Sequence, residues 1–398
     1  MHEQETVRLS DPGPLKVGRK PEIVLAALAA LGLIVFLAGL AIDPTRAWYN
    51  FLIDYFFFLA IGVAGIVLTA IHYATDSTWS VTVRRVAEGL SAYLPVSLVL
   101  SLALIICIPV LYQWAVPTHV HLWHEKHIYL NRTFVIGRQL LCYGIWIWIG
   151  MGLVRRSVKQ DISGDVALYR RNRTMGPVFL LLFALTITFT SFDLLMSLEE
   201  SWYSTIFPVY IFSGLFLSGY ATTSILVVYL RRAGYLREAV KDYHLRDMAT
   251  WMMAFSVFMI YIGFSQYMLI WYANLPVEIG YMMKRSAGGW GYIFILLPLL
   301  KWIIPFVVLM PDRCRKSETV IVLVSLAVLL GQWLDLYWIV APVFSERLVL
   351  VSWMEIGVFL GFAGLFGLSV LRFYKKHSLV AVNDPKLDEC LKGRYLHV

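Results

Sequence analysis

Charged side chains are scarce in this sequence. Asp, Glu, Lys and Arg make up 15% of its 398 residues, against 59% hydrophobic ones, whereas a soluble domain carries about 25% charge and at most roughly half apolar residues. So little charge excludes a folded surface made for water alone, and lipid must be part of the solvent. Cysteine is thin as well: Cys107, Cys142, Cys314 and Cys390 form no CxxC or CxH spacing, which excludes a disulfide framework or a cluster-binding motif. Histidine is nearly missing from the apolar runs. Only His72 lies inside one, so no haem can be held by facing pairs of membrane histidines. The first 21 residues have no apolar stretch and carry Pro12, Pro14 and Pro21, so they do not read as a signal peptide. The first span is expected to stay as an anchor.

What the sequence has in abundance is long apolar runs. Backbone groups in hydrocarbon must be bonded internally, so a chain crosses as helices or as a closed barrel. Barrel strands read as alternating segments of about ten residues, and the runs here are far longer. A window of about 20 residues places ten spans at 22–42, 51–73, 92–113, 134–154, 176–197, 205–230, 249–272, 290–310, 319–340 and 348–371. The expectation is an all-α polytopic membrane protein with about ten transmembrane helices and polar tails at 1–21 and 372–398. Of the 34 Lys and Arg residues, 26 fall on the segments that share a side with the N-terminus and 6 on the opposite loops, with Arg138 and Lys301 inside spans. That asymmetry predicts both termini in the cytoplasm. The net charge of +8 is then a topology signal and asks for no nucleic-acid partner.

Ionisable side chains within spans carry the most information, because each is expensive unless paired or hydrated. Asp54 enters the second span near the outer side, Arg138 lies one turn into the fourth, and Asp193 sits about one turn before the outer end of the fifth. Asp335 and Glu355 occupy the outer thirds of the ninth and tenth spans, Lys301 the middle of the eighth, and His72 the inner end of the second. At a rise of about 1.5 Å per residue, Asp193 and Asp335 fall about 6–8 Å below the outer boundary. The arrangement predicts a hydrated polar pocket opening outward, with Lys301 and His72 as steps further in. The competing reading is that charges near helix ends reach the interface or form ion pairs that fix packing. The proton-path candidates are therefore Asp193, Asp335, Lys301, His72, Glu355 and Asp54.

The fifth and ninth spans echo one another, with Asp-Leu at similar depth in Ser191 to Leu194 and in Trp333 to Leu336, each followed by aromatics and a proline. Spans two to five (51–197) and six to nine (205–340) thus read as two four-helix bundles in the same orientation, flanked by spans one and ten. Such duplication tends to place a site in or between bundles. His119, His121, His124 and His127 form an outer HxHxxHxxH run beside Trp123. It reads as a docking loop before it reads as a metal site, which would want rigid geometry and a second shell. Aromatic residues at 15% are expected mainly in the core and the interfacial belts.

Three stretches resemble a known family. They are TSFDLLMSLEESWYSTIFPVY from Thr190 to Tyr210, HLRDMA from His244 with QYMLIWYANLP from Gln266 to Pro276, and GQWLDLYW from Gly331 to Trp338. They resemble the NrfD-like (polysulfide-reductase membrane subunit) proteins of alternative complex III, the quinol:cytochrome c oxidoreductase. Length and span count look like the smaller of its two such subunits. The resemblance implies an integral membrane subunit of the bacterial inner membrane, in a complex with an iron–sulfur subunit, haem c subunits and a larger NrfD-like paralogue. It implies iron–sulfur clusters and haem c in those partners, no prosthetic group within this chain, and a part in quinol oxidation or coupled proton movement. Menaquinone or ubiquinone is the cofactor class, with Asp193, Arg138 and Tyr210 as quinone-site candidates. A purely structural anchor for the peripheral redox subunits is the main alternative. A stand-alone secondary transporter is a third, although no Gly/Pro-broken helices in matched halves are legible.

Overall fold

A computed structural model describes residues 11–116, 124–349 and 351–393, and every regular element among these is helical. Ten helices among them are long and apolar enough to cross a bilayer: α1 (Lys20–Ile42), α2 (Pro44–Ala74), α3 (Val81–Leu111), α4 (Arg132–Ser163), α5 (Val166–Leu198), α6 (Phe207–Arg232), α7 (Asp242–Ala273), α8 (Trp290–Leu309), α9 (Glu318–Val343) and α10 (Trp353–Lys376). The chain is a multi-pass, all-α membrane protein.

Both tails lie on one side. The Leu15 amide donates to the Tyr374 carbonyl at 2.8 Å and the Leu379 amide to that of Gly13 at 3.3 Å. On this termini side α3, α4, α5 and α7 run seven to eleven residues beyond the spans that hydropathy marks. Hydropathy sees only the part in hydrocarbon, about 30 Å thick. The overhanging turns carry Arg84, Arg85, Arg155, Arg156, Arg170, Arg171 and Arg246, which favour water or ion pairs.

Helices α2–α5 close one ring of contacts and α6–α9 a second, with α2 packed on both α6 and α9 to join them. Helix α2 is therefore surrounded on all sides, and residues 47 to 70 of it are buried without a break. Its small residues make this possible: a Cβ on Gly65 would lie 2.5 Å from the Ala87 carbonyl oxygen of α3. Helices α1 and α10 lie on each other outside the rings and lean on α2. They meet at Gly32 and Gly361, where a Cβ on Gly32 would fall 2.2 Å from the Gly361 Cα, the small-residue crossing common among membrane helices.

One feature of the repeat is not visible in hydropathy. The third helix of each ring contains a π-helical turn, Ile145–Gly150 in α4 and Leu299–Ile303 in α8. Pro298 and Pro305 bracket the turn in α8 and remove two ladder donors, while Gly144 precedes the one in α4 and Gly150 is its last residue. The helices are widened at matched places, not broken.

Candidate functional site

The deepest cation is paired. In the second bundle the Lys301 Nζ, within the π turn of α8, lies 2.7 Å from Oδ2 of Asp335 on α9. The Tyr210 hydroxyl, from α6, donates to the other carboxylate oxygen at 2.7 Å. Lys301 is 2% exposed and Asp335 1%. The lysine stem reaches across because α9 presents Gly331, where a Cβ would lie 2.6 Å from the Lys301 Cγ. A π turn is a frequent companion of functional sites because it re-aims side chains that an α turn would point elsewhere.

Lys301 and Tyr210, but not Asp335, line a cavity of about 310 Å³ between α6, α7, α8 and α9, with Met259, Gln266, Phe294, Leu297 and Trp302 also in its wall. Phe264 and Tyr267 of α7 belong to the same wall and are exposed on the outer surface, so the cavity borders the lipid-facing side of the bundle. Its far end is roofed by the short helix Pro276–Ser286 through Tyr281 and Met282. Tyr281 stacks on Trp202 with centroids 3.8 Å apart, and burial pushes its hydroxyl up to about 12. The Arg285 guanidinium lies 3.6 Å over the Tyr281 ring and donates to the Ile339 carbonyl at 2.6 Å. A neighbouring cavity of about 260 Å³ shares Tyr267, Met282, Phe294 and Trp338 and includes Asn274, Arg285 and Ser286 of the far-side connection.

The first bundle answers with a different pair. Arg138 of α4 grips Asp193 of α5 through one guanidinium edge, its Nη2 and Nε donating to the two carboxylate oxygens at 2.7 and 3.0 Å. Gln139 donates to the same carboxylate at 3.0 Å, and Arg138 also donates to the Tyr129 carbonyl and lies 3.8 Å over the Tyr129 ring. Beside Asp193 is a smaller cavity, of about 40 Å³.

The other sequence candidates are dispersed. Asp54 accepts from the Trp333 indole at 2.7 Å, tying α2 to α9, and its second oxygen has no hydrogen-bond partner. Glu355 sits in the first turn of α10, capping the Ser352 amide and accepting from Arg46 and Asn50. That network fastens the start of α10 to the start of α2. His72 is buried edge-on against Trp79, and neither ring nitrogen has a hydrogen-bond partner. No described contact links it to Lys301. The proposed quinone-site trio is divided: Arg138 and Asp193 meet in the first bundle, whereas Tyr210 bonds Asp335 in the second. His119 and His121 lie outside the described residues, as do the side chains of His124 and His127.

Two groups were not legible as sites. The Tyr55 and Tyr143 hydroxyls are 2.6 Å apart in the first bundle, and Tyr143 donates to Ser97 at 3.0 Å. On the termini side, Arg84 and Arg85 read as loop charges but are 2% and 0% exposed. Arg84 pairs with Asp384 of the C-terminal tail at 2.5 Å, and Arg85 pairs with Glu88 and Asp161. The signal available in sequence was Glu88, placed three and four residues after the arginines on one helix.

Fold and site together define a membrane protein with ten membrane-spanning helices among the described residues, in two four-helix bundles that each hold a buried cation–carboxylate pair beside a cavity. No protein-family model and no curated protein matches the chain.

Proposed function

We propose that this chain is a membrane subunit of a quinol:cytochrome c oxidoreductase, or of one serving another periplasmic acceptor, and that it carries protons and receives a quinone ring. The observation that carries the reading is that Lys301 and Tyr210 line an apolar cavity at the exposed face of the bundle while both are bonded to Asp335 behind them. A cavity of about 310 Å³ with so few polar groups suits an apolar ring drawn from the bilayer better than water, which needs two to four polar partners per molecule. Lys301 and Tyr210 stand where they can hydrogen-bond a ring oxygen; the Tyr210 oxygen can accept the proton released when a hydroquinone hydroxyl is oxidised as it passes its own to Asp335. A carboxylate, an ammonium and a phenol in mutual contact form a set through which a proton can pass without leaving the low-dielectric interior. The ring is menaquinone or ubiquinone. Iron–sulfur and haem c groups in partner subunits, beside a larger NrfD-like paralogue, take the electrons. The chain lies in a bacterial cytoplasmic membrane, and the 26-to-6 division of basic residues supports cytoplasmic termini.

Quinol oxidation by the purified complex carrying Asp335→Asn, with assembly read from haem content, tests the proposal. At least a tenfold fall at full haem content is expected. Unchanged turnover would leave the chain as a structural anchor for the redox subunits.

A further inference from the structure

Two polar side chains in the wall of the larger cavity are left without partners. Gln266 of α7 and Tyr281 of the roofing helix both line it, and each is only 5% exposed. Among the described residues, neither the Gln266 amide nor the Tyr281 hydroxyl makes a hydrogen bond. Nor are these atoms sealed in protein, as the second oxygen of Asp54 and the Trp202 indole are. The little surface they keep opens on the cavity. A buried polar group in that state is expensive unless something else supplies its partner.

The two groups stand towards the end of the cavity away from Lys301. Tyr281 belongs to its roof, and its ring is clamped between Trp202 and the Arg285 guanidinium, so the hydroxyl cannot swing away. Gln266 lies seven residues before the far-side end of α7 and Lys301 eleven residues into α8, depths of about 10 and 16 Å. The Tyr210 ring rests on α7 at Gly263, where a Cβ would lie 3.0 Å from its Cε2. Gln266 follows on the same face, about 4.5 Å further out. That step is comparable with the span between oxygens on opposite sides of a six-membered ring. The rest of the wall is largely apolar, with Met259, Ile260, Phe294, Leu297 and Pro298. A lipid acyl chain offers nothing to either polar end, and a ring with one oxygen answers only one.

We propose that Gln266 and Tyr281 form a second oxygen subsite, which makes the cavity select a ring with oxygens in para positions and sets its orientation. One ring oxygen meets Lys301 and Tyr210; the other meets Gln266 and Tyr281. An amide and a hydroxyl can each donate to a quinone carbonyl or accept from a hydroquinone hydroxyl, so the subsite holds both oxidation states. The ring's substituent leaves past Phe264 and Tyr267, the exposed part of the wall. This subsite rests on the quinol reading above and adds the residues that choose the ring.

Photolabelling of this chain in the intact complex by an azido derivative of α-tetralone tests the subsite. The competitors are α-tetralone, which has one oxygen, and dimethylnaphthoquinone, which has the same two-ring frame and two para oxygens. Dimethylnaphthoquinone should protect the unaltered chain at a concentration at least tenfold lower. Gln266→Leu combined with Tyr281→Phe should raise its half-protecting concentration at least tenfold and leave that of α-tetralone within twofold. The ligand-free double variant should melt no lower than the unaltered complex, because the groups removed have no partner in the protein. Equal protection by the two competitors in the unaltered complex would overturn the subsite. So would a double variant that weakens both alike or neither. If the subsite falls while Asp335→Asn still slows turnover, the quinol reading stands without it. Failure of either competitor to protect, together with an inert Asp335→Asn, would remove both.

Discussion

The two bundles share a topology and differ in how they hold charge. The first uses Arg138, a planar fork with five donors and a charge that proteins do not remove, and spends that fork on Asp193 and the Tyr129 carbonyl. The second uses Lys301, a point charge with three donors on a stem laid against Gly331, and gives its carboxylate one ammonium and one phenol. The arginine pair adjoins a cavity of about 40 Å³, and Lys301 of the lysine pair faces one of about 310 Å³, room for a ring. Duplication supplies two copies of a frame. With the third helix widened in both, the change of cation separates a pair that mainly holds its bundle together from a pair that can exchange a proton.

If that comparison is right, the largest effects follow from splitting the lysine pair. Lys301→Met leaves Asp335 buried beside Tyr210 alone. Removing one member of a buried pair typically destabilises by about 3–5 kcal/mol, and turnover should fall at least tenfold. Lys301→Met with Asp335→Leu should melt above either single variant and remain inactive. A double variant no more stable than the singles would show that the pair is not a closed electrostatic unit.

Gly331→Ala sharpens the comparison without touching a charge. The added methyl meets the lysine stem at 2.6 Å and Leu300 Cβ at 2.9 Å, and overpacking of that size costs about 1–3 kcal/mol. The ammonium should shift off Asp335, and turnover should fall several-fold at near-normal haem content. Gly137→Ala, at a position of α4 with open space around it, should change neither. Equal behaviour of the two alanines would mean that the lysine stem is not held by the close approach of α9.

Asp193→Asn should do less than Asp335→Asn. Arg138 keeps its bond to the Tyr129 carbonyl, its place over the Tyr129 and Phe134 rings, and a neutral amide in place of the carboxylate. Haem content should hold and turnover should fall only slightly. A loss as deep as that of Asp335→Asn would erase the distinction between the bundles.

Much of the fold was legible because lipid simplifies the grammar: apolar length gives the helices and their count, and basic residues give a common side for the termini. Asp193, Asp335, Lys301 and Arg138 stood out because charge in an apolar run is rare. Their pairing did not, since Lys301 is 34 residues from Asp335 and Arg138 is 55 from Asp193, and only packing brings them together. Tyr210 was visible as a motif residue and assigned to the wrong neighbours for the same reason. Tyr55 and Tyr143 were lost among 22 tyrosines, because hydropathy cannot tell a belt phenol from one whose hydroxyl is buried. Arg84 and Arg85 counted correctly towards sidedness, yet they sit inside the protein. The tail that covers them arrives from 300 residues away.

That tail gives the smallest effect at neutral pH and a test of a region outside both bundles. The Cys390 thiol is buried against the Trp79 carbonyl at 3.4 Å and the His244 Nε2 at 3.2 Å, and the Tyr243 hydroxyl holds the backbone beside it at 3.1 Å. Burial pushes the thiol up from the usual 9.0 to about 11. Unfolded chains therefore lose this proton first as pH rises, and between pH 9 and 11 the folded state holds the extra one. The stability it contributes is fully present below pH 9 and is lost as pH rises through 11. A shift of that size corresponds to about 3 kcal/mol. Melting temperature against pH should fall less steeply between pH 9 and 11 for Cys390→Ala than for the unaltered chain, the two curves differing below pH 9 only by a constant packing loss. Parallel curves through the whole range would mean that the tail opens before the thiol titrates. The clasp over Arg84 would then be weaker than either bundle it closes.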